Sequence, residues 1–251
     1  MTFSVNADSL ENYELGDKIY ERADGSYLCF ATGKKEGGGN FFIRARKADN
    51  EASATMFKNE KLAGALMSKL KSYAIPILAV FEENGYNFTV YKNPNNAGKD
   101  KLLSSPDFNR SNQEKLKGLV SQAMTFYQKL NKLNLFPIED FSMDNVIISS
   151  DGQSFKFIGF ENVLPSLEDA KGLVSEVTKI AEGAIGLKTN FLKAGDFAHY
   201  LYTGASSITE NGLKVLTDKV RNADALSLVN DCLTKSLDEL KNFNPFKSGL
   251  L

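Results

Sequence analysis

The sequence predicts an α+β fold in which a small antiparallel β-sheet precedes a mainly helical region. Two patterns indicate this order. Short apolar runs separated by Gly- and Asn-rich turns fill most of the N-terminal part, and apolar residues spaced by three or four positions dominate the rest. The stretch Asn93–Asp100 between them consists of turn formers. We therefore predict two domains, residues 1–93 and residues 94–251.

The first domain is predicted to hold five strands joined by short turns. Asp24-Gly25 marks the first turn, and the glycine-rich run before Asn40 marks the second. The predicted strands are Asp17–Glu21, Ser26–Thr32, Asn40–Arg46, Ile75–Glu82 and Tyr86–Lys92. A helix over residues 51–72 separates the third strand from the fourth, and Glu60 lies beside its apolar stripe.

The second domain is predicted to be helical around one β-hairpin. Ser111 begins the first helix and, with Glu114, fits a capping box. The predicted helices are Ser111–Leu133, Leu167–Gly186, Phe191–Tyr202, Glu210–Val220 and Ala223–Asn242. They surround a hairpin within residues 138–163.

Polar side chains flank both strands of this hairpin, which are predicted at Val146–Ser149 and Phe155–Ile158 around an Asp-Gly turn. Asp140 and Asn145 precede the first strand, and Glu161 follows the second. Carboxylates and amides at one edge of a small sheet can hold a phosphate and a metal. An ordinary surface hairpin is the alternative interpretation.

Composition excludes several classes of function. Thirty basic residues against 31 acidic ones provide no field for nucleic acid. No apolar run is long enough for a membrane span, so we expect no membrane insertion and a cytoplasmic location. The single histidine argues against zinc catalysis and a Ser-His-Asp triad. Cys29 and Cys232 are expected to be buried free thiols.

The order of elements resembles the protein kinase fold over residues 13–242. The resemblance implies roles for particular residues. Arg44 stands where the phosphate-binding lysine of the third strand is expected, and Glu60 matches its ion-pair carboxylate. Asp140 matches the catalytic base and Asn145 the metal-binding amide.

The resemblance also implies a candidate nucleotide cleft. Tyr91 and Asn93 lie in the segment that would meet an adenine through backbone groups, and Gly25 is the one glycine retained from the family's glycine-rich loop. Together with Arg44 and Glu60, they are the candidate nucleotide-binding residues.

Departures from the kinase pattern predict that catalysis is lost. Gly159 stands in place of the metal-binding aspartate of the Asp-Phe-Gly motif and has no oxygen to offer magnesium. Ser142 replaces the lysine of the catalytic loop, and the segment after Glu161 is too short for an activation loop. We therefore predict a pseudokinase without a metal cofactor, whose partner is another protein. The run 156–161 is similar to the degenerate motif of the N-terminal kinase-like trafficking pseudokinases.

Two other functions remain open. The first is a divergent phosphotransferase or nucleotidyl transferase, because aminoglycoside-kinase-like proteins also lack an activation loop. The second is a sensor that binds ATP without metal. The large and acidic side chains of residues 20–24 argue against tight nucleotide binding.

Overall fold

The chain is described from a computed structural model and forms two compact units. The first comprises Met1–Leu102 with Asn145–Ser150 and Phe155–Asn162, and the second comprises the remaining residues. The described residues are 8–35, 38–49, 70, 72–93, 101–103, 108–132, 135–137, 145–158, 163–165, 176–206, 208–209, 212–213, 220 and 222–247.

The first unit contains a five-stranded antiparallel sheet. Its strands are β1 Tyr13–Glu21, β2 Tyr27–Gly33, β3 Asn40–Lys47, β4 Ile77–Glu83 and β5 Tyr86–Lys92. Their order across the sheet is β1-β2-β3-β5-β4. All five predicted strands are confirmed. β1 begins at Tyr13 rather than Asp17, since its N-terminal half pairs with β2 although most of its side chains are exposed.

Each face of this sheet carries its own apolar cluster, because side chains alternate along a strand. On β3, Ile43 and Ala45 belong to one cluster and Phe42 to the other. Arg44 and Arg46 continue the alternation that begins at Phe42 and are also buried. The sheet therefore carries two buried cations on the face to which Phe42 belongs.

The predicted hairpin is confirmed, and its two strands belong to the first unit. Its strands, β8 Val146–Ile148 and β9 Phe155–Phe157, form a three-stranded sheet with β6 Lys101–Leu102. Ile147 and Ile158 join the cluster that contains Phe42. The hairpin thus shares a core with the N-terminal sheet, although it follows that sheet by more than 50 residues in the sequence.

Backbone hydrogen bonds attach the hairpin to the chain before β4. The N–H of Ile75 donates to the carbonyl of Phe157 at 3.0 Å, and the N–H of Phe157 donates to the carbonyl of Tyr73 at 2.7 Å. The hairpin thus extends the first unit through both backbone pairing and apolar packing.

Helices dominate the second unit. They are α1 Gln113–Lys132, α2 Glu176–Thr203, α3 Ala223–Thr234 and α4 Leu237–Lys241. Two short sheets accompany them, one of β7 Leu135–Pro137 with β10 Val163–Pro165, the other of β11 Ile208–Thr209 with β12 Gly212–Leu213. In the described ranges, no helix is both long and apolar enough to cross a membrane.

Several predicted helix boundaries were wrong. Asn112 rather than Ser111 caps α1, because the Asn112 Oδ1 accepts from the backbone N–H of Lys115 at 3.1 Å. One helix, α2, extends across the predicted interruption between Gly186 and Phe191. The predicted helix from residue 210 begins instead as the β11–β12 hairpin.

The predicted helix over residues 223–242 is divided in two by a capping box. The Ser236 hydroxyl accepts from the N–H of Glu239, and the Glu239 carboxylate accepts from the N–H of Ser236. These local hydrogen bonds favour a new helix start over continuation. The predicted helix over residues 51–72 lies outside the described residues, apart from positions 70 and 72.

Candidate functional site

Arg44 is the central cation of the candidate site. It lies within β3, between Leu28 of β2 and Thr89 of β5, and only 2% of its surface is exposed. Its Nη2 donates to the Oδ1 of Asn145 at 2.6 Å. Its Cζ lies 6.0 Å from the centre of the Tyr91 ring, at the outer limit of a cation–π contact. The sheet therefore holds this guanidinium in its interior.

Asn145 is fixed from both its backbone and its side chain. It immediately precedes β8, and its carbonyl accepts from the N–H of Ile158 at 2.8 Å. Its side chain is buried, and its amide oxygen accepts from Arg44. The structure thus brings together two predicted site residues that are far apart in the sequence. It also directs the only oxygen of the asparagine side chain towards a cation of the protein itself.

Tyr91 and Asn93, the predicted adenine-facing residues, are also buried. The N–H of Lys92 donates to the carbonyl of Pro76 at 3.1 Å. The N–H of Asn93 donates to the carbonyl of Asn40 at 3.0 Å. Both backbone donors of this segment are therefore used within the protein.

Gly25 lies at the tip of the β1–β2 hairpin in a left-handed conformation, with φ of +82°. Its N–H donates to the carbonyl of Arg22 at 2.9 Å, and the N–H of Ser26 donates to the Oδ1 of Asp24 at 2.8 Å. The hydrogen bond from Ser26 and the nearby cations Arg22 and Lys47 lower the pKa of Asp24, so this carboxyl is ionised at neutral pH. The turn thus holds a carboxylate beside two cations, and the N–H groups of Gly25 and Ser26 both donate within it.

An apolar layer next to Arg44 was not identified as part of the site from the sequence. Phe42 is two residues before Arg44 on β3 and is completely buried. It belongs to one cluster with Leu28, Tyr91 and Ile147. The alternation of side chains along β3 could have placed Phe42 on the same face as Arg44. The participation of Ile147 depends on the tertiary fold.

Other predicted site residues, Glu60, Asp140 and Gly159, lie outside the described residues, as do Ser142 and Glu161. Their predicted roles stay predictions. Within the described ranges, no three His, Cys, Asp or Glu side chains are grouped closely enough to hold a metal ion.

Both cysteines are free and buried, as predicted. Burial raises the pKa of the Cys29 thiol to about 11 and that of the Cys232 thiol to about 12. Both groups are therefore protonated and poorly nucleophilic at neutral pH.

No protein-family model matches this sequence, and no curated protein matches it. Among solved structures, the chain is similar to the twitchin kinase region of C. elegans, with a TM-score of 0.65 and 13% sequence identity. The match covers 98% of this chain and 48% of that chain, so this chain spans about half of the length of the twitchin region. The likeness establishes a protein-kinase-like fold, as the element order predicted.

Proposed function

We propose that this chain is a catalytically inactive, kinase-like interaction module that binds nucleotide weakly or not at all and acts on a partner protein in the cytoplasm. The hydrogen bond between Arg44 and Asn145 is the observation that carries this proposal. In the kinase pattern these two positions serve the nucleotide, one through its phosphates and the other through a metal ion. Here the Arg44 Nη2 instead donates to the Asn145 amide oxygen.

The phosphate side of a nucleotide finds few available groups. The N–H groups of Gly25 and Ser26 already donate within the turn. The ionised Asp24 accepts the hydrogen bond from Ser26, and it offsets the nearby cations Arg22 and Lys47. A hairpin tip of this kind is a poor phosphate cradle.

The base side is similarly occupied. The N–H groups of Lys92 and Asn93 are bonded to the protein, and Pro94 has no N–H to offer. Phe42 and Tyr91 are fully buried and leave no ring surface on which an adenine could stack. Nucleotide binding would require these groups to exchange their present partners.

Gly159 supports loss of metal-dependent transfer, because a glycine side chain cannot ligate magnesium. A divergent phosphotransferase would need Glu161 or another carboxylate to take this role. A metal-independent ATP sensor would need no metal ligand, but it would still need free hydrogen-bond donors for the nucleotide. The backbone donors described above are already bonded within the protein, which disfavours this function. These two functions are the outcomes that a direct test must separate from an inactive module.

The test measures the thermal midpoint with millimolar ATP or ADP, each with and without magnesium, alongside phosphate transfer from ATP. A nucleotide present at one hundred times its Kd would add about 2.7 kcal/mol to stability. That gain would raise the midpoint by about 5–10 °C for a chain of this size. We expect no such shift and no magnesium-dependent transfer.

Two results would contradict the proposal. A shift without metal would indicate the nucleotide sensor. Magnesium-dependent transfer that Asp140→Ala abolishes would indicate an active enzyme, and Glu161→Gln would then identify the replacement metal ligand. Asp151→Asn, in the exposed turn of the hairpin, is the matched control for removal of a carboxylate near these strands.

A further inference from the structure

The outer edge of β1 is an open strand edge. β1 is the first strand of the five-stranded sheet and has one neighbour, β2, among the described strands. Five consecutive residues, Glu14 to Lys18, are exposed, and 43% of the Leu15 surface is accessible. An edge of this length with an exposed apolar side chain can pair with another extended segment.

A hollow interrupts this edge at Gly16. The β1–β2 register shifts between Leu15 and Lys18, so that Gly16 and Asp17 together lie opposite Phe30. Because Gly16 has no side chain, a groove of about 390 Å³ opens beside Phe30 and Thr32. One part of the groove wall is therefore the apolar side chain of Phe30, and another part is the backbone at Gly16.

The rim of this hollow is acidic. Glu14 and Asp17 line it, and the other described lining residues are uncharged. The nearest cation along the strand, Lys18, forms an ion pair with Glu21 at 2.7 Å. The hollow thus combines an apolar wall with two carboxylates on its rim.

We propose that the β1 edge docks an extended, basic segment of a partner protein, with an arginine side chain seated in the hollow at Gly16. Arginine fits both parts of the groove, since its alkyl stem and planar guanidinium pack on an aromatic ring while its N–H groups bind carboxylates. Backbone pairing along β1 supplies the orientation. This inference rests on the proposed role as an interaction module and specifies the chemistry of its partner.

Other occupants fit the hollow less well. A nucleic acid or other polyanion would meet Glu14 and Asp17 with like charge. A second copy of this chain would bring the same carboxylates on its own β1, and the one basic residue of β1, Lys18, is already paired with Glu21. Like charges opposite each other on paired strands are destabilising. The charge of the rim therefore favours a cationic partner segment.

The probe is a fluorescein-labelled synthetic peptide of about nine residues, the length of an ordinary strand. It alternates valine with threonine and carries two arginines on one face. Fluorescence anisotropy with the full chain is expected to give a Kd of about 10–100 µM, weakening as salt screens the charges. A matched peptide with glutamate in place of arginine, and one with N-methylated backbone amides, should each bind at least about tenfold more weakly.

Gly16→Val is the decisive variant of the protein. A Cβ at Gly16 would lie 3.5 Å from the Phe30 carbonyl oxygen, an ordinary van der Waals contact, and the branched side chain of valine would narrow the hollow. Peptide affinity should fall at least about tenfold while the thermal midpoint is retained. Glu14→Gln combined with Asp17→Asn should give a similar loss. Glu82→Gln, an exposed carboxylate on the opposite edge strand β4, is the matched control and should change affinity less than about twofold.

The proposal is overturned if the arginine peptide does not bind at millimolar concentration, if the glutamate peptide binds equally, or if Gly16→Val has no effect. Concentration-dependent dimerisation that Gly16→Val abolishes would overturn it in favour of a second copy as occupant. Peptide binding requires neither nucleotide nor magnesium. Absence of peptide binding would contradict only the proposed docking site at β1. Magnesium-dependent phosphate transfer would contradict the proposed function, and the result of the peptide experiment would stand independently of it.

Discussion

Arg44 keeps a permanent positive charge in the interior of the sheet. A guanidinium does not lose its proton in a protein, so its burial must be offset by hydrogen bonds and opposite charge. The Asn145 amide oxygen provides one such bond at 2.6 Å, and the Tyr91 ring lies on a second side. Because the Asn145 amide is neutral, it stabilises Arg44 through this hydrogen bond and not through opposite charge. The free energy of unfolding should therefore depend on both side chains.

Truncation of the Asn145 side chain should lower the stability of the protein. Asn145→Ala removes an acceptor from a buried charged donor, so we expect the free energy of unfolding to fall by about 1.5–3 kcal/mol. Arg44→Met removes the donor and its charge. Urea unfolding of the wild type, both single variants and the double variant gives the coupling energy between the two residues.

The coupling should reach about 1 kcal/mol or more, because the two side chains are in direct contact. Gln153→Ala, which truncates an exposed amide in the turn of the same hairpin, should leave stability nearly unchanged. Additive effects of Arg44→Met and Asn145→Ala would show that the hydrogen bond contributes nothing to stability.

At the scale of the elements, helices α2 and α3 approach closely at Gly195. A Cβ built at this glycine would lie 2.8 Å from the Cβ of Cys232 and 3.3 Å from the Cγ of Leu233. Cys232 is completely buried, so it has little room to move. Gly195 thus allows the two helices to pack closely, although glycine favours a helix less than alanine does.

Gly195→Ala should therefore destabilise the protein by about 1–3 kcal/mol through overpacking. Gly118→Ala is the matched control, because Gly118 is exposed on α1 and its added Cβ would meet nothing within 4 Å. Alanine is the better helix former, so Gly118→Ala should stabilise by about 0.5–1 kcal/mol. Urea unfolding measures both changes, and equal effects at the two positions would contradict the close-contact argument.

At the scale of the whole molecule, the first compact unit is assembled from distant parts of the chain. Its core includes Ile147 and Ile158 from the hairpin, together with Phe42 and Tyr91 from the sheet. A fragment that ends at Leu102 lacks the hairpin and exposes the apolar face on which it packs. Such a fragment loses both core volume and the backbone pairing described above.

We expect the fragment of residues 1–102 to show no cooperative urea transition by circular dichroism, in contrast to the full chain. Addition of a synthetic peptide of residues 145–158 should restore β-sheet signal. The same peptide with Ile147→Asp and Ile158→Asp should not, since a buried charge without a partner is strongly unfavourable. A cooperative transition of the fragment alone would show that the sheet is stable without the hairpin.

The positions of the strands could be predicted from residues such as Ile43 and Val90, because side-chain alternation and turn chemistry are local properties of the chain. Arg44 and Asn145 were identified as site residues through the order of motifs. Their hydrogen bond could not be predicted, since it joins positions 101 residues apart. Local pattern also failed between Gly186 and Phe191, where one helix passes through a predicted break.

Local chemistry therefore accounts for the α+β composition, the five strands and the hairpin. The tertiary structure decided which distant parts share a core, and it placed Ile147 beside Phe42 and Asn145 beside Arg44. Among the described strands, it also made β1 an edge strand, a feature that depends on which strand becomes the last of the sheet. The physical reason is that packing energy depends on contacts between residues remote in sequence, whereas turn, cap and strand propensities act over only a few residues.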